Sequence, residues 1–268
     1  DAVPPASPAD FRVVDAGATG VTLGWTATGD DGTLGQASSY QMRIAESPIS
    51  ENGGEGTVSW ARATPVSGLP VPGPSGVPQE VRVTIQPGES RTYHFGLKVL
   101  DRMGNASSLA SLSACSKPAT RVLSDDMEGE DARNWTAEGT WARVDVEGHG
   151  KVFTDSPEGA YASNANSSLV SREFDLSAVR EPVLRFDLKC DTEARYDVLH
   201  VEATSDSGLT WTELLACDGY RDWSTCTVDL SACQSQKRVQ VRFRLTSDRT
   251  FEKDGVYIDN VIVAGEAP

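Results

Sequence analysis

The stretch from Asp254 to Gly265, "DGVYIDNVIVAG", decides the fold class of the C-terminal part of this chain. An acidic turn leads into a run of apolar, β-branched residues, which is typical of a buried strand. Asp259 interrupts that run close to its start. A buried strand position normally carries a neutral side chain, so the position of this carboxylate needs an explanation.

Short alternating runs of the same kind occur along the whole chain, whereas helical periodicity is nearly absent. Clusters of Gly, Pro, Asp, Asn and Ser separate them, and many short strands with turns at this spacing indicate sandwiches or barrels. We therefore predict an all-β protein made of two tandem β-sandwiches. The runs that carry this prediction are "VTLGW", "YQMRIA", "VRVTI", "YHFGLKV", "VLRFDL", "VLHVEA" and "VQVRFRL".

The charge of the chain is negative and unevenly distributed. The formal net charge of the 268 residues is −15, of which residues 1–120 contribute −3 and residues 121–268 contribute −12. A surface of this sign repels nucleic acids and anionic membranes, so we expect neither as a partner. The excess is typical of a solvated secreted surface, or part of it offsets bound cations.

The sequence begins with Asp1 rather than methionine, which suggests a processed or excised fragment. The absence of a signal peptide therefore says nothing about secretion. No run of about 18 apolar residues occurs, so no membrane insertion is expected.

Five cysteines are present, and none belongs to a CxxC pair, so the sequence does not favour a zinc ribbon or a thioredoxin motif. Four of them cluster in the second half, which favours disulfides formed in an oxidising compartment. Cys217 and Cys226 flank "DGYRDWST", a predicted hairpin, and form the best candidate pair. Cys190 with Cys233 is the remaining pair, and Cys115 is left odd. The alternative is that all five are buried free thiols.

The first half resembles a fibronectin type III domain, and we assign it residues 1–116. Trp25 in "GVTLGWTATGDDG" matches the core tryptophan of the second strand, and Tyr40 opens the third strand. Tyr93 fits the tyrosine corner, whose hydroxyl bonds to backbone at a neighbouring turn. The segment "DRMGN", Asp101–Asn105, matches the turn between the last two strands.

One segment departs from the fibronectin pattern. Residues 46–78 are longer and richer in Gly and Pro than the family pattern, and they contain Trp60. The segment forms a decorated loop or an extra hairpin, or else a loop that binds a partner.

A short linker, residues 117–121, leads to a second domain that we assign to residues 122–268. This domain resembles the jelly-roll sandwich of MAM domains, of cleaved-adhesin domains of secreted bacterial proteases, and of C-terminal modules of immune-inhibitor-type metalloproteases. The cysteine pattern of MAM domains is not clearly reproduced, so the bacterial branch matches better. The motifs that carry the resemblance are "FDLS", "YDVLHVEATSDSGLTW" and "GVYIDNV".

The resemblance implies a structural calcium ion in this second domain. The first and last strands of a jelly roll commonly lie together, which would bring Glu128, with Asp126, close to Asp259. Asp155 in "FTDSPEG" is the next candidate, since that loop resembles a family segment near the ion. A hard cation with six to eight oxygen ligands would offset the repulsion among these carboxylates. The alternative is that they are turn and strand-end carboxylates bonded to backbone N–H groups.

The sequence contains no recognisable catalytic motif. HExxH, GxSxG and GxxxxGK(S/T) do not occur, and His94, His149 and His200 are not clustered with a nucleophile. Four tryptophans could instead serve as stacking platforms for sugars, although aromatic residues of sandwiches more often lie in the core. These tryptophans are Trp135, Trp141, Trp211 and Trp223.

These observations predict a secreted or cell-surface fragment that is not an enzyme. We expect an adhesion or accessory module of a larger secreted hydrolase, which positions that protein on polypeptide or glycan surfaces, with an upstream catalytic domain as a possible partner. The alternatives are a domain that processes or stabilises a protease, and a structural spacer with no ligand. The sequence upstream of Asp1 would distinguish them.

Overall fold

A computed structural model describes residues 3–129 and 133–268. The chain divides into two compact units, one formed by residues up to Ile85 together with Glu89–Pro118, the other by Gln86–Gly88 together with Ala119–Pro268. The first strand of the second unit begins at Thr120, earlier than the predicted domain start at residue 122. The described residues contain no helix of the length and hydrophobicity needed to span a bilayer.

The first unit is a β-sandwich of a three-stranded and a four-stranded sheet. The three-stranded sheet has the order β1-β2-β7 and the four-stranded sheet the order β6-β3-β8-β9, with antiparallel neighbours throughout. β4 and β5 form a separate parallel pair. The strands are β1 (Arg12–Ala16), β2 (Gly20–Thr26), β3 (Ser39–Ala45), β4 (Ile49–Ser50), β5 (Val58–Ser59), β6 (Thr64–Pro65), β7 (Pro78–Thr84), β8 (Thr92–Leu100) and β9 (Ala110–Cys115).

Trp25 and Tyr40 join the two sheets of this unit in its core. Both side chains are buried, and their rings meet edge to face with centroids 5.0 Å apart. In the turn after β8, the Asp101 carboxylate accepts hydrogen bonds from the backbone N–H groups of Met103 and Asn105, both at 2.8 Å. The "DRMGN" segment is therefore a turn stabilised by its own aspartate.

The glycine- and proline-rich segment 46–78 packs on the four-stranded sheet of its own unit. Trp60 lies in a short 3₁₀ turn between β5 and β6, and two cations approach its ring: Lys98 Nζ at 4.9 Å and the Arg43 guanidinium at 5.5 Å from the centroid. Gly96 makes room for the ring, because a Cβ there would lie 3.0 Å from Trp60. Trp60 thus fixes the segment to the sheet.

The second unit is also a β-sandwich. Sheet A has the order β12-β13-β20-β15-β18 with β10 added on β20, and sheet B has the order β11-β14-β19-β16-β17. The strands are β10 (Thr120–Asp125), β11 (Trp135–Glu138), β12 (Ala142–Val146), β13 (Gly150–Thr154), β14 (Asn166–Ser171), β15 (Arg180–Asp191), β16 (Val198–Thr204), β17 (Thr212–Cys217), β18 (Tyr220–Asp229), β19 (Gln240–Thr246) and β20 (Gly255–Glu266).

The core of the second unit lies between sheets A and B. Phe186 of β15 and Phe243 of β19 meet there, with ring centroids 4.9 Å apart. Trp135 and Trp141 are buried in the same core, at 7% and 4% exposure, so neither offers a stacking platform for a ligand. The antiparallel pairing of β10 with β20 places the first strand of the unit beside the last one.

All five cysteines are free thiols in the structure, and one predicted pair does not fit the fold. Cys190 lies near the C-terminal end of β15, opposite Arg221 of β18. Cys233 lies just after Leu230, whose backbone N–H donates to Pro182 O at the N-terminal end of β15. About 7 residues of strand, or roughly 20 Å, separate the two ends. A disulfide needs Cα atoms within about 7 Å, and this structure places the two cysteines farther apart than that.

Cys217 and Cys226 lie close to each other. The Arg221 guanidinium nitrogen Nη1 is 3.2 Å from the Cys226 sulfur and 4.0 Å from the Cys217 sulfur. β17 belongs to sheet B and β18 to sheet A, so a bond between these sulfurs would join the two sheets. The Cys217–Cys226 disulfide stays a prediction.

Candidate functional site

The outer face of sheet A is the solvent side of its central strands. Along β15 the apolar side chains point into the core, and the alternating polar ones, Arg185, Asp187 and Lys189, are only half-buried. In β20, Asp259 pairs with Asp187 and Tyr257 pairs with Lys189, so they share this face. The period of two along each strand places these side chains on one surface.

Aromatic rings line this outer face. The rings of His149 and Trp223 stack with centroids 4.1 Å apart and planes inclined by 19°. Tyr257 lies beside them, 6.3 Å from Trp223, and Lys189 Nζ sits 4.6 Å from the Tyr257 centroid. His149 comes from the turn between β12 and β13, so this turn reaches over the sheet to Trp223. Trp223 and Tyr257 are half-buried and His149 is exposed.

A pair of carboxylates lies next to these rings. The side-chain amide nitrogen of Asn260 donates to Asp187 Oδ2 and to Asp259 Oδ2, each at 3.0 Å. The backbone N–H of Asn260 donates to Asp259 Oδ1 at 2.7 Å, and Thr225 Oγ1 donates to Asp187 Oδ1 at 2.6 Å. Asn260 adopts φ +50°, a left-handed conformation that asparagine tolerates better than most residues.

Burial raises the pKa of Asp259 to about 6. The hydrogen bond from the backbone of Asn260 opposes this effect, while the charges of Asp187 and Glu128 add to it and that of His149 lowers the pKa. The negative charge of Asp259 is therefore destabilising in this environment, and the N–H groups of the next residue, Asn260, stabilise it by hydrogen bonding.

Each of the four predicted calcium ligands accepts a backbone hydrogen bond of its own. Glu128 interacts electrostatically with Asp259, but its Oε1 accepts the backbone N–H of Lys151 at 2.8 Å. Asp126 Oδ1 accepts the N–H of Glu128 at 3.2 Å in an exposed turn. Asp155 bonds at the start of β20, where its Oδ1 accepts the N–H of Val256 at 2.7 Å. A calcium ion bound by these residues stays a prediction.

Asp155 is a fully buried carboxylate. Its Oδ2 has no hydrogen-bond partner among the described residues, and burial raises its pKa to about 7. Gly255, with φ +87°, lies directly against it, and a Cβ at that position would clash with Asp155 and Ser156. The glycine of "DGVYIDNV" is therefore required by the close approach of this carboxylate.

The outer face of sheet B presents a different, charged surface. Glu202 is buried between two arginines, with Arg242 Nε at 2.6 Å and Arg244 Nε at 3.0 Å from its Oε2. The Arg242 guanidinium lies 4.1 Å from the ring centroid of Trp211. Trp211 is half-buried, and the guanidinium of Arg242 lies against its ring.

Sequence reasoning missed Asp187, Asn260 and the stacking of His149 on Trp223. The alternation in "VLRFDLKC" does mark Asp187 as outward-facing. Its pairing with Asp259 depends on the register between β15 and β20, which includes an irregularity between Arg185 and Asp187. A pairing of strands that lie far apart in the chain leaves no local pattern in the sequence.

No family model matches the chain. One curated relative, bacillopeptidase F of Bacillus subtilis (strain 168), is 29% identical over 118 residues, which is 44% of this chain and 8% of the relative. The chain therefore spans less than a tenth of the length of the curated relative it matches.

Solved structures similar to the chain include the K1 cleaved adhesin domain of Lys-gingipain from Porphyromonas gingivalis W83, at 17% identity and a TM-score of 0.39, covering 55% of this chain and 99% of that one. A carbohydrate-binding module of the β-sandwich superfamily covers 97% of this chain and 98% of its own, at 14% identity and a TM-score of 0.38. A family 29 carbohydrate-binding module covers 55% and 88%, at 14% identity and a TM-score of 0.38. Scores this low decide neither a family nor a role nor a ligand.

Proposed function

We propose that this chain is a non-catalytic extracellular binding module, and that the outer face of sheet A binds a glycan. The observation that carries the proposal is the half-exposed Trp223, flanked by His149 and Tyr257 and bordered by the polar pair Asp187 and Asn260.

The chemistry of this face suits a sugar ring. The C–H side of a pyranose packs on aromatic rings, while its hydroxyls bond to carboxylates, amides and ammonium groups at fixed positions. Asp187 and Asn260 hold such groups in place through bonds to neighbouring strands, and Lys189 through a bond to Asp254 in the turn before β20. An extended polypeptide is the competing ligand, and it would place one of its own apolar side chains against Trp223.

Two tryptophans provide a matched pair for the test. Trp223→Ala should lower the affinity of the protein for a polysaccharide that it retains, such as one immobilised in an affinity gel, by tenfold or more, or about 1.4 kcal/mol. Trp211→Ala, on the outer face of sheet B, should leave retention unchanged. Binding to peptides but to no polysaccharide, or equal retention of wild type and Trp223→Ala on every polysaccharide, would contradict the glycan proposal.

The parent protein is proposed to be a secreted hydrolase, with this chain as its accessory part. The match to a segment of bacillopeptidase F supports this setting, and the first unit, with its sheets of three and four strands, is proposed to be of the fibronectin type III kind. The competing roles are a domain that stabilises or processes a protease, and a spacer. Retention of a polysaccharide by the isolated chain would favour the accessory role over the spacer.

A further inference from the structure

His149 lies in a tight turn that reaches over the outer face of sheet A. The turn joins β12 to β13, and the backbone N–H of His149 donates to Val146 O at 3.0 Å. His149 is exposed to solvent, yet its imidazole stacks on the Trp223 ring with centroids 4.1 Å apart. Because the two planes are inclined by only 19°, the imidazole covers one face of the indole.

The face of Trp223 that His149 covers is closed to a sugar ring. Tyr257 approaches the same indole at 6.3 Å with planes inclined by 59°, so it flanks the indole and does not stack on it. A half-buried indole has limited surface to offer a ligand, and the imidazole occupies part of it. A pyranose that packs on this face must therefore take the place of the imidazole.

The turn allows His149 to leave the indole without disturbing the sheet. Glycines lie on both sides of it, Gly148 at φ +80° and Gly150 at φ +73°, and glycine adopts such conformations without steric cost. Among the residues that the structure describes, the imidazole takes part in no hydrogen bond. Its stack on Trp223 and an electrostatic interaction with Asp259 hold it in place.

The base of the turn is fixed, in contrast to its tip. Glu128 Oε1 accepts the backbone N–H of Lys151 at 2.8 Å, and the Glu128 side chain lies directly against Gly150, where a Cβ would clash with it. β12 and β13 are paired up to the turn itself. A movement of His149 is therefore confined to the tip and leaves the strands in register.

We propose that His149 is a lid over Trp223, and that a glycan binds to the outer face of sheet A by displacing it. This inference rests on the proposed glycan site and adds a closed and an open state to it. A site that is open for only part of the time binds more weakly by its open fraction. The lid therefore selects ligands that gain more from the indole than the imidazole does.

Substitutions at His149 test the lid through the affinity of the 268-residue chain for two neutral polysaccharides, glucomannan and hydroxyethylcellulose, in affinity gels. His149→Ala removes the cover and should raise the affinity about two- to tenfold, the range that one stacked aromatic pair is worth. His149→Phe keeps a ring over the indole and should stay close to wild type. Glu147→Ala, exposed in the same turn, is the matched control and should change nothing.

NMR spectra of the histidine rings follow the displacement directly, because the chain has only three histidines. The signal that is missing in His149→Ala identifies the Cε1–H proton of His149. In the free protein the ring current of Trp223 should shift this signal upfield, and Trp223→Ala gives its position without the stack. Oligosaccharides cut from the retained polysaccharide should move the wild-type signal towards that position.

The outcomes separate the lid from the glycan site. An affinity that is lower or unchanged in His149→Ala would overturn the lid, while loss of retention in Trp223→Ala would still support the glycan site. A His149 signal without an upfield shift in the free protein, or with one that persists in the complex, would also overturn the lid alone. If no variant is retained on either polysaccharide, His149→Ala included, both proposals are contradicted.

Discussion

Asp187 of β15 and Asp259 of β20 lie opposite each other and share one donor, the side-chain amide of Asn260, at 3.0 Å from an oxygen of each. This relationship explains the carboxylate inside "DGVYIDNVIVAG". Asp259 belongs to the outer face of sheet A, although neighbouring groups cover it, and an asparagine next to it in the chain supplies the donors that a buried acid needs.

Asn260→Ala should destabilise the second unit, and more at high pH than at low pH. The pKa of Asp259 is raised to about 6, above its ordinary 3.8, so its charge lowers stability as the pH rises through this range, and loss of the donor enlarges that effect. We expect a loss of about 1–3 kcal/mol at pH 8, shrinking towards pH 4. Chemical denaturation at both pH values measures it.

Asn164→Ala is the matched control, because Asn164 also adopts a left-handed conformation, at φ +54°, and lies outside the carboxylate pair of sheet A. Asn164→Ala places an alanine in a similar left-handed backbone conformation but removes no donor from the carboxylate pair. Equal losses in Asn164→Ala and Asn260→Ala, independent of pH, would mean that the amide matters only for its backbone conformation.

Asp155→Asn should stabilise the protein at pH 8 and change little near pH 4. The pKa of Asp155 is raised to about 7 by burial, so the folded state keeps a proton that the unfolded state loses between about pH 4 and 7. Stability that is present below pH 4 is therefore lost as the pH rises towards 7. At pH 8 the neutral amide should add about 1–3 kcal/mol to the free energy of unfolding.

The control for Asp155→Asn is Asp126→Asn, at an exposed turn carboxylate. It should show no comparable gain at pH 8. A loss of stability in Asp155→Asn at pH 8 would mean that the ionised form of Asp155 is the stabilised one, for instance through a bound cation.

Glu202→Gln should destabilise the second unit across the neutral range. Burial alone would raise the pKa of Glu202, but the hydrogen bonds from Arg244 and Arg242 outweigh it and lower the pKa to about 2. The stabilisation is thus present above about pH 4.5 and is lost as the pH falls towards 2. We expect a loss of about 2–4 kcal/mol at pH 7, since two arginines are left facing a neutral group.

The exposed Glu213 offers the comparison for Glu202. It pairs with His200 at 2.6 Å, but its side chain is 52% exposed. Glu213→Gln should therefore cost under about 1 kcal/mol in the same denaturation experiment. Similar losses for the two substitutions would contradict the distinction between a buried and an exposed ion pair.

The sequence predicted the strands well because alternation is a local property. The runs "VLRFDL" and "VQVRFRL" became β15 and β19, with their apolar positions in the core. The proximity of Glu128 to Asp259 followed from the pairing of first and last strands. Asp155 was named only because its loop resembles a family segment, whereas Asp187 depends on a strand register with an irregularity, which no local pattern indicates.

Cys217 and Cys226 should form a disulfide when the protein is made in an oxidising compartment. Both sulfurs lie close to Nη1 of Arg221. β17 and β18 are edge strands of opposite sheets, so the disulfide would link the two sheets at this edge of the sandwich. Closing a loop of about ten residues adds roughly 2–3 kcal/mol in the chain-entropy model.

Peptide mapping without reductant should recover the two cysteines in one linked fragment, with Cys233 alkylated. In the oxidised protein, Cys217→Ser should lower stability by that amount, while Cys233→Ser, which breaks no bond, should cost only its packing. Recovery of Cys217 and Cys226 as free thiols from protein secreted under oxidising conditions would contradict the disulfide, and Arg221 would then be a donor to two thiols at this edge.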